Sequence, residues 1–460
     1  MKNIFLKKLK LTIAVLAVFL VASACGSSSG ESPSAEIPAP VSHLSISSPD
    51  SDGLVRVTAD AGFADGGSAI TISVAAAASE DTSAFPVMIL FWIGSAQAQT
   101  TSTLTAGTDG SFQTTLAATA GDTISVAYTK DEAPTTVTDS VPENKPALPS
   151  VATGVEFEDV VYNPTTGGAI VLANDGTDGF LIFFNLDTQA SSTVTLSGIS
   201  GANRFDLDDT NQILIIADAD DANNVFHYHI PTGNTPSDAT DGNQVTDIAV
   251  APSGNYGILA FDSASPAIAY YDVVTDDIPV TGTATDGSGN NQAGASVVAV
   301  DNNGSNDVAA LVSEASGGGF FLSTYMIDSA TPALTQQTST TLTGLGSVGG
   351  FAFFNQAAEA LVTDSTNDHV LSVVVATGTL TAIDTEGDPV GVAVNSADSQ
   401  AYVVNRGERT LSVIDLSDFS VSRGDVLGLA PTAIAVDPTG SSNTVIVLNS
   451  GDKTLTLFTP

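Results

Sequence analysis

GVAVNSADSQAYVVNRGERTLSVIDL, from Gly391 to Leu416, and AIAVDPTGSSNTVIVLNSGDKTLTLFT, from Ala433 to Thr459, follow one cadence. A short apolar strand runs into a turn, a second apolar strand ends in Asn, and a third strand follows. The residue closing the first strand of each copy can be traced backwards as Pro438, Ser396, Asn355, Asn302, Pro252, Asp209 and Pro164, at spacings of 41 to 53 residues. A period of this length with several strands per unit is the mark of a β-propeller, whose sheets bury their faces against one another because none can hide them alone. The spacing predicts seven units between Phe157 and Pro460. The last unit supplies only three strands, so a strand near Ala147 to Val155 is expected to complete it and close the ring, removing an open sheet edge.

Outward from the repeat, PENKPALPS, Pro142 to Ser150, reads as a semi-rigid hinge with three prolines. Before it, LVRVTADAGFADGGSAITISV from Leu54 to Val74 and DGSFQTTLAATAGDTISVAYT from Asp109 to Thr129 alternate apolar and polar residues between Gly-containing turns. Such alternation describes half-buried antiparallel strands. The fold class is therefore all-β: a seven-bladed β-propeller over residues 146–460, preceded over residues 41–145 by a small β-sandwich. With 43% hydrophobic residues in a chain of 460, enough apolar surface exists for both cores.

Within the smaller unit, AFPVMILFWIGSAQAQT from Ala84 to Thr100 holds an apolar core, Phe85 to Ile93, about half as long as a bilayer span requires, and the only tryptophan, Trp92. It reads either as a buried strand or loop, or as an exposed patch that meets a partner or a membrane interface.

The N-terminus is an address. Lys2, Lys7, Lys8 and Lys10 precede the apolar run LTIAVLAVFLVA, and small residues lead to Cys25, the only cysteine. VASAC, Val21 to Cys25, resembles the lipobox of bacterial lipoproteins. The resemblance implies a signal peptide over residues 1–24, lipid attachment at Cys25, a tether over 25–40 rich in Ser, Pro and Gly, and, with Gly26 after the cysteine, an outer-membrane anchor facing the periplasm or the cell surface. The membrane is then a partner through that lipid. Without residues 1–24 the chain keeps eight basic residues against 51 acidic ones, a formal charge of −43. Such a surface repels nucleic acid and anionic headgroups, and it is otherwise a solubilising coat.

PVGVAVNSADSQAYVVNRGERTLSVID, Pro389 to Asp415, resembles the YVTN family of propeller repeats, AYVVN at Ala401 to Asn405 matching its eponymous strand. Related propellers include YncE-like binding proteins, surface-layer proteins and lactonases, so the likeness implies fold far more than function. The strands opened by DGSF and AGDTISV are similar to those of bacterial Ig-like domains, which implies that kind of sandwich for residues 41–145.

Asn174, Asp218, Asp262, Ser313, Asp364, Asn405 and Asn449 each end the second strand of a unit, and short polar side chains there would bond to the backbone two residues on. Their loops fall on one end of the ring. Arg204, Arg406, Arg409 and Lys453 gather at that end, which points either to an anionic ligand held by Arg204, Arg406 and Arg409 or to surface pairing with acids such as Glu408 and Asp452. DADDANN, Asp218 to Asn224, offers Asp218, Asp220, Asp221 and Asn223 as oxygen ligands for Ca²⁺ without the Gly and distal Glu of an EF-hand; a solvated acidic turn is the other reading. No other cofactor is implied. His227 and His229 alternate on one strand with no third ligand in view, and there is no GxSxG nucleophile elbow, HExxH, CxxCH haem site or phosphate loop, GSSSG at 26–30 belonging to the tether. Two functions remain: a noncatalytic propeller that binds a protein or glycan of the envelope, and a lactonase-like hydrolase acting at the propeller mouth.

Overall fold

The computed structural model describes residues 44–49, 54–75, 100–131, 133–142, 144–219, 224–233, 239–240, 243–252, 254–263, 265–285, 294–315, 318–440 and 444–460. The leader, Cys25, the tether, and the apolar segment with Trp92 lie outside them. The described residues form an all-β fold without helices, built of antiparallel sheets.

The smaller unit pairs two sheets over one core. One contains Leu44–Ile46, Leu54–Ala59 and Phe112–Ala117; the other contains Thr100–Thr105, Ala69–Ala75, Thr123–Lys130 and Ala133–Ser140. The alternation expected from sequence is observed: Val55 and Val57 face Ile70, Ile72, Ile124 and Val126 across the core, while Arg56 points out of it. At the DGSF turn the backbone needs Gly110, whose φ is +86° and whose Cβ, if present, would strike the Ala64 carbonyl.

From Glu156 onward, meanders of antiparallel strands cover residues 156–197, 202–240, 245–282, 295–342, 351–384, 389–426 and 431–458, the arrangement of a β-propeller. All but the last have four strands. Their second strands, such as ILIIAD (Ile213–Asp218) and YGILAF (Tyr256–Phe261), are buried along their whole length, because a neighbouring sheet covers each face. The first strands touch in chain order, and Pro431–Val436 of the last sheet touches Glu156–Asn163 of the first.

Closure falls slightly earlier in the chain than expected. Leu457 and Leu455 donate their N–H groups to Asn144 O and Pro146 O at 2.8 and 2.9 Å, and Leu148 N donates to Lys453 O at 2.8 Å. Residues 144–148, rather than a strand centred on Ala147 to Val155, therefore add to Thr454–Phe458 as the outer strand of the last sheet. Pro146 can only accept at its rung, a loss tolerated at a sheet edge. Leu148, Val155 and Phe157 then pack with Ile446, Leu448 and Leu455, sealing the seam between last and first sheets.

The sandwich is bonded to the ring through buried polar groups. Arg56 donates to three carbonyls, Asp452 O at 3.2 Å, Lys453 O at 3.0 Å and Leu148 O at 2.8 Å. Ser48 and Lys145 exchange bonds, Ser48 N to Lys145 O at 2.7 Å and Lys145 N to Ser48 Oγ at 2.6 Å. The Asp452 carboxylate, 1% exposed, accepts from Ser45 Oγ, from Leu429 N at 3.1 Å and from Thr454 Oγ1 at 2.8 Å. Burial pushes the Asp452 carboxyl up and the Lys145 ammonium down.

Candidate functional site

The first strands carry a recurrent irregularity. Register shifts fall between Phe157 and Asp159, Ala202 and Arg204, Val245 and Asp247, Ala295 and Val297, Pro389 and Gly391, and Pro431 and Ala433. A bulge leaves one residue unpaired and re-aims its side chain. Glu158, Val390 and Thr432 are such residues, and all three line a hollow of about 340 Å³ together with Arg204, Val348, Gly349, Ser365 and Arg406. A second hollow of about 190 Å³ shares Glu158, Arg204 and Thr432 and adds Asp159 and Asp247. Glycine makes this close approach of strands possible: a Cβ on Gly349 or Gly350 would lie 2.9 Å from the backbone of Val390 or Gly391.

Arg204 donates from Nη1 to Asn203 O at 2.8 Å, and among the described residues no carboxylate lies within ion-pair distance of it. Arg406, exposed, forms a two-pronged pair with Asp388, Nε to Oδ2 at 2.7 Å and Nη2 to Oδ1 at 3.3 Å. Glu158 Oε1 accepts from Asn174 Nδ2 at 3.0 Å, whose other bond goes to Ala202 O at 3.1 Å. The Thr432 hydroxyl is buried without a partner.

Behind this mouth the carboxylates belong to the ring itself. Asp206 accepts from Val250 N at 2.7 Å and Asp247 from Val298 N at 2.9 Å, so each ties its own sheet to the next. Asp301 repeats the device with Ala357 N at 2.9 Å. Burial raises Asp159 to about 7 and both Asp206 and Asp247 to about 6; Arg204 opposes the shift at Asp159 and Asp247, and backbone N–H donors oppose it at all three. Burial also raises Glu158.

The sequence reading grouped Arg204, Arg406 and Arg409; the structure brings the first two to one hollow and directs the third elsewhere. Arg409 reaches the sandwich, where Nη1 donates to Leu44 O at 3.0 Å. Arg406 pairs with an acid at the surface, as the alternative reading has it, though with Asp388 rather than Glu408. Lys453 stands 5.6 Å over the Phe157 ring. Of the strand-end column, Asn174 and Asp364 do accept from the N–H two residues on, Gly176 at 3.2 Å and Thr366 at 3.1 Å. Asn405 and Asn449 instead donate to third-strand hydroxyls, Ser412 at 2.8 Å and Thr456 at 3.0 Å. Asp218 accepts from Gly201 N at 2.9 Å, while Asp220, Asp221 and Asn223 of the suggested calcium run lie outside the described residues. His227 is buried beside Tyr271, 2.9 Å from its hydroxyl, and no histidine among the described residues lines either hollow.

Glu158, Asp159, Asp206, Asp247 and Thr432 escaped the sequence reading. The four acids are visible in the sequence inside largely apolar first strands, EFEDVVYN, ANRFDLD and VTDIAV, whereas Thr432 in PTAIAV carries no such mark.

No known protein family matches the chain, and no curated protein sequence is similar to it. Among solved structures, hydrazine synthase of Kuenenia stuttgartiensis is similar with a TM-score of 0.55 at 15% identity, over 68% of this chain and 98% of that one. At that identity the likeness shows the fold alone, and 1094 solved chains match this one in structure.

Proposed function

We propose that this chain is a lipid-anchored protein of the bacterial outer membrane, a noncatalytic binding module in which a seven-bladed propeller of YVTN, YncE-like kind takes a protein or glycan partner at its mouth and an Ig-like sandwich is clamped beside it. The observation that carries the binding role is the hollow of about 340 Å³ lined by Arg204, Arg406 and Glu158 together with Ser365 and Thr432. Polar groups of both signs converging in a concave site fix the orientation of a ligand. Cyclic contact among the first strands supports the blade count, and the two-sheet core supports the Ig-like reading. VASAC and the tether support the anchor.

A pull-down from native envelopes tests the role. A partner retained by the parent and lost with Arg204→Gln or Arg406→Ala supports it; identical capture by all three, or no capture, overturns it. Cys25→Ser should release the protein from the membrane fraction.

One observation favours the hydrolase reading as second. Asp159, raised to about 7 by burial beside Arg204, has the poise of a general base near neutral pH. Turnover of a lactone panel that Asp159→Asn abolishes would put that reading first.

A further inference from the structure

We infer that the group entering this mouth is an amino-acid-like zwitterion, its carboxylate on Arg204 and its ammonium on Glu158. The inference rests on the binding role proposed above and names the chemistry of its ligand.

The two residues hold complementary, unspent capacity. The guanidinium of Arg204 uses one N–H on its neighbour's carbonyl, Asn203 O at 2.8 Å, leaving the forked donors that suit a carboxylate. Glu158 has one oxygen fixed by Asn174 at 3.0 Å, which orients the carboxylate and leaves the other oxygen for a donor. Glu158 is the unpaired residue of the first sheet's bulge and Arg204 the first paired residue after the second sheet's, and both line one hollow.

Charge balance excludes the simpler ligands. A multiply charged anion would meet Glu158 at the rim and Asp159 and Asp247 behind it; a bare cation would meet Arg204, Arg406 being paired with Asp388. A ligand carrying both signs satisfies both sets, and an ammonium beside Glu158 would oppose by its charge the upward shift that burial gives that carboxyl.

Calorimetric titration of the purified full chain tests this with alanine, whose charges share one carbon, and dialanine, in which a peptide unit separates them. Acetate, ethylamine, N-acetylalanine and alaninamide serve as single-charge probes. Alanine or dialanine should bind at least tenfold more tightly than every single-charge probe, and the better of the two identifies a free amino acid or a chain end as source. Glu158→Gln should bring the zwitterion and its N-acetyl form within about twofold of each other, and Arg204→Gln should do so for the zwitterion and its amide. The melting curve of the conservative Glu158→Gln variant guards against misfolding. Equal binding of zwitterion and single-charge probes, or no binding by any, overturns the inference. Should no zwitterion bind while an envelope partner is still captured in an Arg204-dependent way, the ligand class falls and the binding role stands.

Discussion

Cations at the sandwich junction and cations at the mouth are the same residue types put to opposite use. Arg56 spends its guanidinium on three carbonyls, and Arg409 reaches the Leu44 carbonyl across the junction. Arg204 makes a single bond to its neighbour's carbonyl, and Arg406 holds an exposed pair with Asp388. In a chain with 12 basic residues against 51 acidic ones, each cation is scarce, so the contrast separates those consumed in holding the structure from those left to meet a ligand. Bonds that cross to the neighbouring domain mark the first kind, and a place on the wall of a concave site marks the second.

The comparison breaks most sharply at Asp452. Asp452→Ala removes the carboxylate that receives Ser45, Leu429 and Thr454 and should cost about 3 to 5 kcal/mol, read as a fall in the urea midpoint with little change in slope. Next, Leu448→Ala opens a cavity at the seam between last and first sheets and should cost about 3 kcal/mol in the same experiment. Neither change touches the mouth, so ligand binding measured below the unfolding midpoint should persist in both.

A smaller effect follows from pH. Asp159, Asp206 and Asp247 have folded values of about 7, 6 and 6, above those of an unfolded aspartate, so the folded chain binds more protons than the unfolded one between about pH 4 and 7. Their contribution is fully present below that window and is lost as pH rises through 6 to 7. Asp247→Asn keeps an oxygen for Val298 N but no charge; it should stabilise the ring by about 1 kcal/mol at pH 8 and by less at pH 5, as melting curves at the two pH values would show. An equal gain at both would mean that Asp247 does not titrate in this window.

Smallest of all is Arg406→Ala. An exposed pair contributes about 0 to 1 kcal/mol, so the melting temperature should barely move. If ligand capture is lost while stability is kept, the division between holding and binding cations is sharpened; a large loss of stability would erase it.

How far the site could be read in advance depended on how each residue announces itself. Arg204 and Arg406 stand out in an acid-rich chain, and the repeat gives the end of the ring on which their loops fall. Arg409, three residues from Arg406, reads identically in sequence yet serves the junction, because its acceptor, Leu44 O, belongs to the sandwich, far away in the chain. Glu158 and Thr432 could not be assigned to the mouth from alternation alone, since the bulges that re-aim them are departures from the period on which alternation rests. The closing strand was anticipated in kind but shifted, as nothing local distinguishes residues 144–148 from the residues that follow except their fit against Thr454–Phe458.

By itself the sequence determined the class of fold, the succession of sheets and the alternation in the sandwich, because hydrophobic period and turn residues are local and act on each segment independently. Tertiary structure alone decided which cations are spent, which acids are driven toward neutrality and where a hollow is left. Those properties depend on distance and burial among residues far apart in the chain, and a linear pattern carries neither.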